Sequence, residues 1–181
     1  MDAMIETPVR LKYAHVERAQ RFLLSALPGR LRRVPAKTIC DRYLIGTRLR
    51  LRSVDEPGRD LVLKLGQKIP MAGPPPTAVA HTTMYLDRDD YDALVAIPAK
   101  ELCKSRRVVS ENGARIAVDE LHGELEGLVL AEVDIGEHGI PLPASPIPSV
   151  AEVTEDHRFT GRNLAEIGSA APSILIREFM S

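Results

Sequence analysis

Three arginines stand at every second position in "TRLRLR", residues 47–52, the segment that most restricts how this chain can fold. Successive side chains of a β-strand point to opposite faces of a sheet, so Arg48, Arg50 and Arg52 share one face and the two leucines between them share the other. Like charges stacked at this spacing repel each other and destabilise a sheet. The segment therefore predicts a strand whose cationic face is neutralised by something that lies in front of it.

Alternation of apolar and polar residues continues along the chain and predicts further strands. With the arginine segment included, the predicted strands are residues 12–22, 42–54, 60–67, 78–86, 102–110, 114–121 and 127–135. Two turn sequences, DEPGRD and SENGAR, predict hairpins, and Asn-Gly in the second is a strong hairpin signal. Helical patterns are limited to residues 87–97, 160–169 and 171–181. Many strands with few helices predict a mainly β (α+β) fold, either a barrel or a sandwich.

The charge composition limits the partners that the chain can attract. The sequence has 24 Lys and Arg against 25 Asp and Glu, and a formal net charge of -1. No global positive field recruits a nucleic acid duplex or a membrane surface, so we expect neither as a partner, and any anion site must be a local concentration of cations. The two cysteines, Cys40 and Cys103, have no metal-ligand spacing and do not predict a disulfide scaffold. A reducing, cytoplasmic location is expected.

The signs of the charges segregate from strand to strand. Cations alternate in 48–52 and 104–106, whereas Glu132 and Asp134 share one face of a later strand. An antiparallel sheet with one wet face gives polar alternation without any function, and this explanation suffices for each strand alone. Because whole strands carry charges of one sign, we predict a cationic zone and a carboxylate zone side by side inside a closed barrel. Arg and Lys suit phosphate oxygens, and carboxylates suit a hard divalent cation, so the two zones together predict a site for a polyphosphate–metal complex.

Seven short motifs follow one another in the order found in one known family. In chain order they read VERAQRFLL, DRYLIGTRLRLR, LVLKLG, CKSRR, AVDEL, GLVLAEVDI and EVTEDHRFTGRNLA. Through these motifs the chain resembles the CYTH domain of the triphosphate tunnel metalloenzyme superfamily, from about residue 12 to residue 167. Each motif alone is weak, but seven in the family order are specific.

The resemblance implies an eight-stranded antiparallel closed β-barrel that forms a tunnel, with a few short flanking helices, as a single CYTH-like domain over residues 1–181. It implies a triphosphate-containing small molecule as the partner and Mg²⁺ or Mn²⁺ as the cofactor. Members of the family hydrolyse inorganic triphosphate, thiamine triphosphate or nucleotide 5′-triphosphates. The activity that the resemblance implies is therefore a metal-dependent triphosphate phosphohydrolase.

The resemblance also assigns roles to residues of this chain. The implied phosphate-binding cations are Arg50, Arg52, Lys64, Lys104 and Arg106, and Arg48 joins them as an extra cation on the face of the arginine ladder. The implied metal ligands are Glu17, Glu132 and Asp134. The implied catalytic residues are Glu17, Arg21 and Asp119.

Four positions depart from the family pattern. Ala19 replaces the second glutamate of the first motif, His81 and Thr83 stand where paired acids are expected, and His157 replaces a lysine. Because Mg²⁺ commonly binds through one or two carboxylates plus substrate phosphates, we expect it to arrive with the triphosphate and hydrolysis to be reduced. His81 suits Mn²⁺ or Zn²⁺ better than Mg²⁺, but a hydrogen-bonded histidine within the tunnel is the simpler interpretation.

Three functions remain open at this point. The first is a metal-assisted triphosphatase, in which positioning and charge stabilisation do most of the work. The second is a non-catalytic module that binds a polyphosphate or nucleotide, which the missing acids favour. The third is a cation-lined barrel with no ligand. The sequence does not select the triphosphate or the oligomeric state.

Overall fold

The computed structural model describes residues 12–73, 78–136, 138–167 and 179. Within these ranges the chain forms one large sheet, two short α-helices and three 3₁₀ helices. The strands are β1 (His15–Glu17), β2 (Ala19–Leu24), β3 (Lys37–Leu44), β4 (Leu49–Asp55), β5 (Val62–Pro70), β6 (Val79–Leu86), β7 (Ala99–Glu111), β8 (Ala114–Leu121), β9 (Val129–Asp134) and β10 (Ala151–Glu152). The α-helices are α1 (Arg88–Val95) and α2 (Gly161–Ile167), and the 3₁₀ helices are Gly29–Arg33, Gly123–Leu125 and His157–Phe159.

The sheet is antiparallel, with the strand order β1-β6-β5-β4-β3-β7-β8-β9-β2-β10. β1 and β2 are separated by Arg18 alone, yet β1 pairs with β6 near one end of the sheet and β2 pairs with β9 near the other. A single residue thus links the two ends, which requires the sheet to curl into a half-barrel.

The prediction of a mainly β fold is confirmed, but the prediction of a closed eight-stranded barrel is wrong. The sheet has ten strands among the described residues, and its ladder stays open. β1 is three residues long, and β6 is its only partner within the described ranges. β10 occupies the edge of β2 that faces away from β9. Because that edge of β2 is already paired, β6 has no partner there that would complete the ring.

Five of the seven predicted strands are present with small shifts at their ends, and 114–121 agrees at both ends. The predicted strand 12–22 is interrupted at Arg18. The predicted strand 42–54 is wrong, because the chain turns between β3 and β4, and Arg48 lies exposed in that turn rather than on the arginine ladder. Gly46 adopts a φ of 73° there, and the Thr47 hydroxyl bonds to the Leu44 carbonyl at 3.1 Å. These local contacts favour a turn over a continuous strand.

The predicted turns and two of the predicted helices are confirmed. In the hairpin between β7 and β8, Asn112 and Gly113 have φ values of 51° and 79°, as a type I′ turn requires. α1 begins after Asp87, whose side chain accepts a hydrogen bond from the backbone N–H of Asp90 at 2.8 Å. α2 matches the predicted helix at 160–169. The predicted helix at 171–181 lies outside the described residues, apart from Phe179.

The two faces of the curled sheet have different environments. On the outer face, α1 places Tyr91 against Leu51 and Leu63. The first 3₁₀ helix and the segment around Ile147 cover a second outer cluster, which includes Phe22, Leu24, Ile116, Val118 and Val133. At one end of the inner face, Phe159 and Leu164 of the C-terminal segments pack against Tyr43, Leu102 and Leu121. The middle of the inner face carries most of the charged side chains of the sheet.

A disulfide joins β3 to β7, contrary to the expectation drawn from the cysteine count. Cys40 and Cys103 are directly opposite each other, with Cα atoms 4.2 Å apart, and are 63 residues apart in sequence. β3 and β7 are neighbours that no hairpin connects, so their pairing was not evident from the sequence. The bond links the two β-meanders of the sheet at their common boundary.

None of the helices in the described part of the chain has the length and apolar character needed to span a bilayer.

Candidate functional site

Strand pairing gathers charged side chains on the concave inner face. Residues directly opposite in an antiparallel pair share a face, and the pairs Asp41–Arg52, Arg52–Lys64, Arg106–Asp119 and Arg21–Glu132 are of this kind. We call the following set the charged trough: the cations Arg21, Lys37, Arg50, Arg52, Lys64, Lys68, Lys104, Arg106 and Arg115, and the carboxylates Glu17, Asp41, Asp119, Glu132 and Asp134. The leucines between the arginines point outward, Leu51 being buried beneath α1.

Asp41 holds the two arginines of β4. Its carboxylate is 1% exposed and accepts hydrogen bonds from Arg52 Nε at 2.6 Å and Arg52 Nη2 at 2.8 Å. Arg50 Nε lies 3.4 Å from the same carboxylate. Burial alone would raise the pKa of Asp41, but the hydrogen bond from Arg52 and the charges of both arginines outweigh it and hold the pKa below its ordinary value.

Asp119 forms the second fork, with cations of β7. It accepts hydrogen bonds from Lys104 Nζ at 2.7 Å, Arg106 Nε at 2.6 Å and Arg106 Nη2 at 2.7 Å. Burial lowers the pKa of Lys104, with Asp119 only partly compensating. The charge of Lys104 and the hydrogen bond from Arg106 lower the pKa of Asp119 despite its burial. Asp119 is therefore an ionised anchor for two of the predicted phosphate-binding cations.

A cavity of about 130 Å³ opens beside these forks. Five cations line it: Lys37, Arg52, Lys64, Arg106 and Arg115. Its remaining walls are apolar and come from Ile39, Val54, Val108 and Ala117. A larger cavity, of about 440 Å³, lies at the turn between β8 and β9 and is lined by residues 120–123 and 126–129, none of which is a lysine or arginine. Of these two cavities, the smaller is the one on which cations converge.

At the β1 edge, Glu17 is held by two side chains rather than left free. Lys68 Nζ donates to Glu17 Oε2 at 2.7 Å, and His81 Nδ1 lies 2.6 Å from Glu17 Oε1. The other ring nitrogen of His81 lies 3.1 Å from the Thr83 hydroxyl. Partial burial alone would raise the pKa of Glu17, but the hydrogen bond with His81 and the charge of Lys68 lower it to about 2.

Across the trough, Glu132 faces cations from both sides. Arg21 Nη2 donates to Glu132 at 3.2 Å. Burial alone would raise the pKa of Glu132, but the charges of Arg106, Arg21 and Lys68 bring it well below its ordinary value. Four strands lie between β5, which carries Lys68, and β9, which carries Glu132, so an electrostatic effect of one on the other reflects the curl of the sheet.

The three predicted metal ligands do not form an assembled metal site. Glu17 is bonded to Lys68 and His81, Glu132 to Arg21, and Asp134 accepts a hydrogen bond from the Gly136 N–H at 2.8 Å. Within the described ranges, no group of three or more His, Cys, Asp or Glu side chains is placed to hold a metal ion. Ala19, which lies opposite Asp134, contributes no ligand atom. The donor set as folded does not fit a divalent cation.

Most of the predicted site residues share the trough, and some members of the trough were missed. Arg48 is the exception, since it lies in the turn before β4. The missed residues are Lys37, Asp41, Lys68 and Arg115. Asp41 stands one residue before the predicted strand 42–54, and Lys68 stands one residue after the predicted strand 60–67. A strand end one residue later would have placed Lys68 on the face of Lys64 by alternation, whereas Asp41 reaches the arginine face only through the pairing of β3 with β4.

Among solved structures, the chain is similar to the inorganic triphosphatase NE1496, with a TM-score of 0.52 and 23% identity over 82% of this chain and 93% of that chain. A second structure of NE1496, described as a hypothetical protein, gives a TM-score of 0.51 at 23% identity over 82% of this chain and 97% of that chain. No protein-family model and no curated protein matches the sequence. The similarity shows a shared fold, which agrees with the triphosphate tunnel resemblance of the sequence motifs.

Proposed function

We propose that the protein binds a triphosphate-bearing small molecule in the charged trough and hydrolyses it slowly. One observation carries the proposal: nine cations face five carboxylates on one concave surface, in a chain whose formal net charge is -1. The surplus of positive charge is local and concave, and Arg and Lys are the side chains that bind phosphate oxygens best. Arg52, Lys64 and Arg106 around the smaller cavity are the proposed first contacts.

Slow hydrolysis follows from the state of the carboxylates. A general base works best when its pKa lies near the operating pH. The pKa of Glu17 is about 2, and those of Asp119 and Glu132 are also lowered, so none of these groups readily accepts a proton from water. The cations remain able to stabilise charge on a phosphoryl group, which is the larger part of phosphoryl-transfer catalysis.

The expected Mg²⁺ or Mn²⁺ would reach the protein only on the triphosphate. Mg²⁺ usually binds through one or two carboxylates together with substrate phosphates and water. Since Glu17 and Glu132 already have cationic partners, we expect negligible affinity of the free protein for either metal ion.

A second candidate is a binding module that holds a polyphosphate or nucleotide without turnover. The observation that favours it is that four carboxylates of the trough, Glu17, Asp41, Asp119 and Glu132, are each bonded to a cation. Phosphate release distinguishes the two candidates. A screen of inorganic and organic triphosphates with Mg²⁺ and Mn²⁺ should give turnover below typical enzyme rates of about 1–10³ s⁻¹ if the first is correct, and none if the second is correct.

Calorimetric titration with tripolyphosphate tests the binding that both candidates share. We expect Arg52→Ala and Arg106→Ala each to weaken binding by about 1.5–3 kcal/mol, the worth of a charge-assisted hydrogen bond. Arg59→Ala, which removes one positive charge from the exposed β4–β5 hairpin, is the control. Unchanged affinity in both trough variants, with each variant shown to be folded by circular dichroism, would contradict the proposal.

A further inference from the structure

Tyr85 differs from the other aromatic residues of the sheet in being open to solvent. The sequence has four tyrosines, three phenylalanines and no tryptophan. Three of these residues lie on the described strands: Phe22, Tyr43 and Tyr85. Phe22 is buried in an outer cluster, and Tyr43 is buried at one end of the inner face. Tyr85 is 71% exposed, so its ring is accessible to a ligand.

Tyr85 also shares the face of the charged trough. It lies directly opposite Lys64, and Lys64 lies directly opposite Arg52, so the three residues form one row across β6, β5 and β4. Neighbouring strands are about 4.8 Å apart, which puts the backbone of Tyr85 roughly 10 Å from that of Arg52. Lys64 and Arg52 line the smaller cavity. The tyrosine ring therefore stands at the side of the trough, next to the cations on which an anion would bind.

Lys64 connects the ring with the cavity. Its Nζ lies over the ring of Tyr85, 4.8 Å from the ring centroid, and it forms no ion pair with a described carboxylate. This cation–π contact is weaker than a charge-assisted hydrogen bond, because one side of the pair is exposed to water. A phosphate group in the smaller cavity therefore attracts the ammonium group away from the ring. One face of the ring is then free beside the bound phosphate.

The size of the smaller cavity limits how much of a ligand can enter it. Its volume is about 130 Å³, and cavities that enclose a whole small molecule usually have about 300–1,000 Å³. An organic group joined to the phosphates must therefore lie outside the cavity, where Tyr85 is the neighbouring aromatic side chain. Nucleic acid bases stack on aromatic side chains with little regard to their identity, because every base has a π-face.

We propose that Tyr85 stacks on the base of a nucleoside triphosphate whose phosphates bind Lys64 and Arg52, and that it thereby selects nucleotides over triphosphates that lack a ring. This inference rests on the proposed function and names the substrate class of the same site. Lys64 exchanges its contact with the ring for a contact with phosphate, so the phosphates and the base bind together.

Calorimetric titration of the full-length protein with ATP and with tripolyphosphate, both in EDTA to prevent metal-dependent turnover, tests the inference. We expect Tyr85→Ala to weaken ATP binding by about 5- to 100-fold, the usual effect of removing a stacking aromatic side chain. Tripolyphosphate binding should change by less than about threefold, because the variant removes a stacking surface and no phosphate contact. Tyr85→Phe keeps the ring and should bind ATP as the wild type does. The control is Met84→Ala, because Met84 is 59% exposed and points to the opposite face of β6.

Wild-type ATP affinity in Tyr85→Ala would overturn the inference and leave the proposed function standing. Equal losses for ATP and tripolyphosphate would also overturn it, because the ring would then act through Lys64 and not by stacking. Tripolyphosphate binding without ATP binding would have the same consequence. If Tyr85→Ala does not fold, Tyr85→Thr, which favours strand structure, decides in its place. If neither ligand binds in EDTA or with Mg²⁺, the proposed function is wrong together with this inference.

Discussion

Asp41 binds Arg52 through both of its carboxylate oxygens, at 2.6 and 2.8 Å, at a position where Asp41 is almost fully buried. Arg50 lies 3.4 Å from the same group, and Arg48 has left the row for the preceding turn. The alternating arginines are therefore two rather than three, and one carboxylate on the neighbouring strand neutralises part of their charge. The repulsion evident in the sequence is relieved within the protein before any ligand binds.

Removing the charge of Asp41 should destabilise the fold. We expect Asp41→Asn to lower the free energy of unfolding by about 3–5 kcal/mol, because it leaves two largely buried arginines without their carboxylate. Urea unfolding at neutral pH measures this change. Asp60→Asn, on the exposed hairpin, should stay within about 0.5 kcal/mol of wild type. If Asp41→Asn lowers the free energy of unfolding no more than the control does, the Asp41–Arg52 ion pair contributes nothing to stability.

Stability should be lost at acid pH. The pKa values of Glu17, Asp41, Asp119 and Glu132 are lower in the folded protein than their ordinary values. The unfolded chain therefore binds more protons at low pH, so the stabilisation is complete above the unfolded values and is lost as pH falls through the folded ones. For Glu17 this window runs from 4.5 to about 2. Urea midpoints measured from pH 7 to pH 2 should be level to about pH 5 and then fall; level midpoints down to pH 2 would refute the assignment.

Restoring acids to the β1 edge should raise hydrolysis. Ala19 lies opposite Asp134, and Thr83 lies beside His81. Ala19→Glu therefore adds a carboxylate near Asp134, and Thr83→Glu adds one near His81. We expect Ala19→Glu to raise the rate of phosphate release with Mg²⁺ or Mn²⁺, and the double variant to raise it further. Ala19→Gln is the control of matched size without charge. Equal rates for Ala19→Glu and Ala19→Gln would count against the missing acids as the cause of slow turnover.

The link between β3 and β7 should contribute to stability. Replacing Cys40 and Cys103 together by serine should cost about 2–4 kcal/mol, the typical effect of removing a disulfide. Thiol titration of the unfolded, unreduced protein should find neither cysteine reactive, since both are in the bond. Two reactive thiols in that experiment would show that the bond is absent from the purified protein.

The local structure was the part most readily predicted from the sequence. Alternation placed Leu51 and Arg52 on opposite faces, and the structure puts Leu51 under α1 and Arg52 in the trough. Asn112-Gly113 identified a hairpin, because both residues adopt positive φ at little cost. These features depend on neighbours in sequence, and such neighbours are visible without a fold.

The features that depend on distant residues were not predictable in the same way. The Cys40–Cys103 bond requires β3 and β7 to be neighbours, and alternation does not specify strand order. The closed barrel failed because β10 pairs with β2, and a two-residue strand leaves almost no sequence signal. In the candidate site, the cations were found from their sign and spacing. Lys68 was missed because the predicted strand ended one residue too early, and Asp41 because alternation does not give the register that places it opposite Arg52.

A crystal structure of the protein with tripolyphosphate tests the central claim most directly. We predict phosphoryl density in the charged trough, with oxygens within hydrogen-bonding distance of Arg52, Lys64 and Arg106, and with the Asp41 and Asp119 forks unchanged. Tripolyphosphate bound elsewhere on the protein, with the trough empty at saturating concentration, would contradict the account.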